Sequence, residues 1–122
     1  MAFALLAGLF GVISPVNGGE EGHLIQLLET RECPACRLND VDLTHADLRD
    51  ADLKNAHLQR ANLNRAQLDG ADLNGSDLSF TSLQGASLRG ADLRNSRLIG
   101  TDLRKADLTG ALLNQQALEQ SH

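Results

Sequence analysis

The 122-residue chain has no tryptophan and no tyrosine, and its only aromatic residues are Phe3, Phe10 and Phe80. A core built on large rings is therefore excluded, and burial has to come from small aliphatic side chains, chiefly leucine and alanine. A strong charge of either sign is also missing. The net charge is −5, and from Arg37 onward ten Lys and Arg are interleaved with twelve Asp and Glu. The basic stripe of a nucleic-acid binder is absent, so nucleic acid is not an expected partner. Cysteine occurs only as Cys33 and Cys36. No second Cys-x-x-Cys completes a four-ligand zinc site, and His45 and His57 fall at outward positions on different faces. His23, His45, His57 and His122 share no face with a Ser or Cys partner, so no catalytic residue, metal ligand or cofactor site is expected. The abundant carboxylates are repeat positions, not an acid–base pair.

Long apolar runs are limited to one. Ala2 to Val16 spans fifteen residues and closes on Ser14-Pro15-Val16-Asn17-Gly18-Gly19. That is short of the ~20 residues a spanning helix needs. Residues 1–19 suit a secretory signal or short anchor that engages a membrane or the export machinery, although no Lys or Arg precedes the run; a buried cap segment is the alternative. Residues 20–35 form a second unit. Glu20 to Thr30 reads as an amphipathic capping helix, with Leu24, Ile25, Leu27 and Leu28 as its apolar face and two glutamates favouring its N-terminus.

The rest is periodic. Leucine recurs at every fifth residue from Leu38 to Leu118 without a gap. Two residues earlier sits a small side chain: Cys36 and Val41, then alanine, serine or threonine from Ala46 to Ala111, failing at Gln116. Between the two lies mostly Asp or Asn. A period of five fits neither regular element. On an α-helix each fifth residue advances about 500°, scattering the leucines around the cylinder; in a strand an odd period sends alternate leucines to opposite faces. Both would expose leucines worth roughly 1.5–3 kcal/mol each when buried. The pattern requires each five-residue unit to take the same step and the same turn around a shared axis.

The units ADLRD, ADLKN, ANLNR, ADLNG, ADLRN and ADLTG resemble the pentapeptide-repeat family, whose motif is A[DN]LxX. The resemblance implies an all-β solenoid: a right-handed quadrilateral β-helix with four pentapeptides per coil. Residues 36–113 would then supply about four coils, behind the short N-terminal capping helix. Residues 114–122 would form a C-terminal cap or tail, with a helical turn or two within Leu112 to Gln120. Gly70, Gly90 and Gly110 share one column at a twenty-residue spacing, at corners where positive φ is needed.

The Cys33-Pro34-Ala35-Cys36 segment leaves several readings open. Cys36 occupies the small inward position of the first repeat, and a bond to Cys33 would fix the turn from cap to coil. Free thiols, a thioredoxin-like redox pair or half a metal site are the alternatives. Phe80 breaks the outward pattern: Arg60 lies one coil below it and Ile99 on the same face. The three form either a cation–π contact or a small apolar spot for a protein partner. The apolar N-terminus and the Cys-x-x-Cys before the first repeat resemble exported cyanobacterial family members. That implies a non-catalytic interaction module in the thylakoid lumen or periplasm, with the cytoplasm as alternative. A DNA mimic that binds a type II topoisomerase is a second reading, and a thiol redox protein a third. The residues leave the partner's identity and the oligomeric state open.

Overall fold

The structure, a computed structural model, describes residues 20–121. The apolar segment 1–19 and His122 lie outside the described residues. Helix α1 spans Glu20–Thr30. It stops because Arg31 turns into the left-handed region, φ 58°, and its N–H returns to the Leu27 carbonyl at 2.8 Å, an arrangement that satisfies an orphan carbonyl. Gln26 and Thr30 complete the end: the Gln26 amide donates to Glu32 O, and the Glu32 N–H donates to Thr30 Oγ1. Only half of the expected apolar face is used. Leu27 is fully buried and Leu24 half-buried, but Ile25 and Leu28 are about half exposed. Leu24 and Leu27, three residues apart, share one ridge, and the end of the coil is only wide enough to cover that ridge.

From Glu32 the chain enters a twenty-residue register. Parallel bridges join Glu32 to Asp52, Asp52 to Asp72 and Asp72 to Asp92, and likewise Arg37, His57, Asp77 and Arg97. The register therefore begins four residues before the expected start at Cys36. Each leucine N–H from Leu38 to Leu93 donates to the carbonyl nineteen residues ahead at 2.7–2.9 Å, and the residue carrying that carbonyl donates back at 2.8–3.0 Å. The bridges are isolated; among the described residues no run forms an extended strand. The β character expected of a solenoid is thus one bridge residue per side, because a turn follows every third residue. Layers at ~4.8 Å make the repeat region a stack about 20 Å long.

Each turn is the same. The small residue donates its N–H to the preceding leucine carbonyl, as in Ala46 to Leu43 at 3.0 Å. The residue just before the small one has positive φ at every repeat from Ala35 to Gly110. A negative then a positive φ across an i to i+3 bond is the sign pattern of a type II turn. Leu38 to Leu98 all point inward and are at most 2% exposed. Alanines fill the adjacent space, where a larger side chain would meet the next layer. Ser76, Thr81, Ser96 and Thr101 are tolerated there because their hydroxyls donate to leucine carbonyls at 2.6–2.8 Å. Towards the C-terminus Leu103, Leu108 and Leu113 are only partly buried. The four-residue helix α2, Gln115–Leu118, follows, with Ala117 turned inward.

Leu73 lies mid-stack with no exposed surface. Leu73→Ala should lower the unfolding free energy by about 2–5 kcal/mol, measured by urea denaturation. A loss below ~1 kcal/mol would mean that the leucines do not form a close-packed column.

Candidate interaction surface

The residue before each leucine does two tasks. Its backbone forms the bridge, and its carboxylate or amide caps the turn. Asp42, Asp47, Asp52, Asn62, Asp72, Asp77, Asp92, Asp102 and Asp107 each accept the N–H two residues on, at 3.0–3.3 Å. This explains the Asp/Asn preference, since these short side chains mimic a turn by bonding their own backbone. Sequence reasoning noted the preference without its cause. At Ser82 and Ser87 the cap is supplied from the layer before: Asn64 Oδ1 accepts Gln84 N at 2.9 Å, and Asp69 Oδ1 accepts Arg89 N at 3.0 Å.

The same carboxylates hold cations. Arg49, Arg94 and Arg104 make two-pronged contacts to Asp47, Asp92 and Asp102. Lys54 reaches both Asp52 at 3.1 Å and Asp72 at 3.6 Å, which offsets the column of stacked aspartates. Hydrogen bonds from these arginines hold Asp47, Asp92 and Asp102 well below the usual carboxylate range. Asp42 and Asp107 are lowered chiefly by the hydroxyls of Thr44 and Thr109.

The two cysteines form a disulfide, with Cα atoms 5.3 Å apart. Cys33 sits five residues before Leu38 and takes a leucine's place in the core, 0% exposed, while Cys36 is 4% exposed. The inward place of Cys36 follows from the repeat, and that of Cys33 is readable by counting back from Leu38. His23 is not a free surface residue: its Nδ1 accepts the Arg37 N–H at 2.8 Å and ties α1 to the first repeat. Among the described residues no three His, Cys, Asp or Glu side chains are placed to hold a metal ion.

Phe80 and Ile99 are 62% and 39% exposed and adjacent, with Phe80 N–H donating to Ile99 O at 2.8 Å. Arg60 does not join them. Its guanidinium grips Asp40 at 2.8 and 3.0 Å, so the expected cation–π contact gives way to a two-pronged ion pair one layer below. The Phe80 ring instead lies over Gly100, where an added Cβ would stand 2.6 Å from its Cδ1. Beside it the Ser79 hydroxyl is buried without a hydrogen-bond partner.

The family model for pentapeptide repeats matches residues 36–75 and 76–115, as eight copies. The chain belongs to the pentapeptide repeat family. Among solved structures, a pentapeptide repeat protein from Nostoc PCC 7120 is 35% identical, over 79% of this chain and 81% of that one, with a TM-score of 0.48. One from the cyanobacterium Cyanothece 51142 is 25% identical over 78% and 95%, TM-score 0.48. One from the Arabidopsis thaliana thylakoid lumen is 26% identical over 80% and 56%, TM-score 0.34. Among curated proteins, none matches the sequence.

Two outcomes follow for this pentapeptide repeat protein. Because the folded aspartates have depressed pKa values, their contribution to stability is complete above the unfolded value near ~3.9 and is lost as pH falls through the folded values. Thermal melts should therefore give a level midpoint from about pH 8 to 5 and a decline below about pH 4. Asp47→Asn and Asp102→Asn, which retain the turn cap, should flatten that decline. A midpoint unchanged down to pH 2 would refute the role of the ion pairs. Separately, Gly100→Ala should cost about 1–2 kcal/mol from its positive φ, plus the displacement of the Phe80 ring. In a Phe80→Ala background the second part should vanish, giving a coupling of about 0.5 kcal/mol or more by double-mutant denaturation.

Proposed function

We propose that this chain is a non-catalytic protein-interaction module, a right-handed quadrilateral rod that works in an oxidising compartment, the thylakoid lumen or the periplasm. The observation that carries this reading is the buried Cys33–Cys36 disulfide. Disulfides persist where thiols are not kept reduced, which excludes most cytoplasmic settings. The same burial argues against a redox enzyme. Exchange requires an exposed sulfur and a lowered thiol pKa, commonly at a helix N-terminus, whereas this pair follows the C-terminal end of α1 and is closed under it. The DNA-mimic reading needs a continuous acidic face, and here the surface aspartates are interleaved with arginine and lysine partners.

The exposed Phe80–Ile99 pair is the apolar contact such a module would offer to a protein partner, with the Arg60–Asp40 ion pair at its rim.

Mass spectrometry of protein purified without reductant should show both cysteines protected from alkylation. Reduction should lower stability by about 2 kcal/mol, the loop entropy of a four-residue closure. A pull-down from lumenal or periplasmic extract should recover a partner that is lost with Phe80→Ser. Full alkylation of the unreduced native protein, or thiol-dependent insulin reduction lost in Cys33→Ser, would overturn the reading.

A further inference from the structure

One corner of the coil has no acid at its turn positions and carries two cations outside the ion pairs of the surface. Its turn residues, layer by layer, are Thr44–His45, Asn64–Arg65, Gln84–Gly85 and Arg104–Lys105, stacked through backbone bonds from His45, Arg65 and Gly85 to the layer ahead. No acidic side chain occupies either turn position in any of these layers. Arg104 is neutralised by Asp102 at 2.7 Å. Among the described residues Arg65 and Lys105 have no ion pair, whereas seven of the eleven Lys and Arg side chains have one. The two other cations without ion pairs, Arg37 and Arg97, lie on a different side of the coil.

Two further observations mark this corner. A depression of ≈ 230 Å³ opens on it, lined by Thr44, His45, Asn64, Arg65 and Gln84. Asn64, which lines the depression, has its Oδ1 taken by Ser82 Oγ and Gln84 N, so its amide has only the Nδ2 donor left to offer a ligand. The nearest carboxylates do not compete. Asp42 is occupied by the Thr44 N–H and hydroxyl, and Asp102 by Arg104 and Gln84.

We infer that this corner is a docking site for an acidic segment of a protein partner, with one carboxylate entering the depression between Arg65 and the Asn64 amide and another reaching Lys105. The argument is charge complementarity: free guanidinium and ammonium groups, an amide donor, and no unsatisfied acid beside them. Arg65 and Lys105 are two layers apart, ~10 Å, the advance of about three residues of extended chain. The inference rests on the interaction-module reading and supplies the partner's chemistry. The pull-down above tests that reading, and the experiment below tests only this corner, so either can fail alone.

The test is fluorescence anisotropy of a fluorescein-labelled hexaglutamate peptide with the disulfide-bonded protein at low ionic strength. Wild type should bind, and Arg65→Gln and Lys105→Gln should each weaken binding about threefold, the worth of one exposed charge pair. Arg60→Gln changes the net charge equally and should leave affinity within experimental error. Thermal melts establish that each variant is folded, and Lys105→Gln serves if Arg65→Gln is not. Absence of binding by wild type, equal weakening by Arg60→Gln, or displacement by inorganic phosphate at matched charge concentration would overturn the inference. The last result would identify a small-anion site instead.

Discussion

The twenty-residue register of backbone hydrogen bonds is the constraint on which everything else rests. Each leucine amide from Leu38 to Leu93 donates to the carbonyl nineteen residues ahead, so each leucine side chain is forced over the one in the layer before. Neither half works alone. Without the leucine column the bridges would be isolated single residues with little to hold them, and without the bridges a five-residue leucine period would leave apolar surface in water. The turn cap links the two. A short carboxylate before each leucine fixes the turn, the turn sends the next leucine inward, and the same carboxylate collects a cation on the outside.

That double use of aspartate shapes the exterior. A rod with an acid at most bridge positions would repel itself, but arginine or lysine two residues later neutralises many of them within the same repeat. The result is a mixed, locally neutral surface, with the exposed Phe80–Ile99 pair and the corner carrying Arg65 and Lys105 among its interruptions. Interruptions of a regular surface are where a repeat rod differs from its generic form, and both functional proposals are built there.

Much of the fold was legible because the leucine period admits one solution. The inward set, the small neighbours, the corner positions and the span of α1 could all be read from spacing. Other features required geometry. The apolar stripe of α1 gave no sign that Ile25 and Leu28 would stay exposed, because the width of the coil end decides how much of a helix it covers. Arg60 and Phe80 share a column, yet column neighbours exist above and below, and a carboxylate below outcompetes a ring above. Cys33 falls within the 20–35 cap unit by sequence, although it stands five residues before Leu38. Its chemistry as a thiol drew attention away from its register. The aspartate caps were visible as composition and invisible as hydrogen bonds.

The central claim is tested most directly by nuclear Overhauser contacts across the layers. In a labelled sample, close approaches should join Asp52 to Asp72 and Asp72 to Asp92 along the same column, with none of the sequential i to i+3 contacts of a helix through residues 36–113. A continuous helical pattern across those residues, or absence of any contact at a twenty-residue separation, would contradict the account.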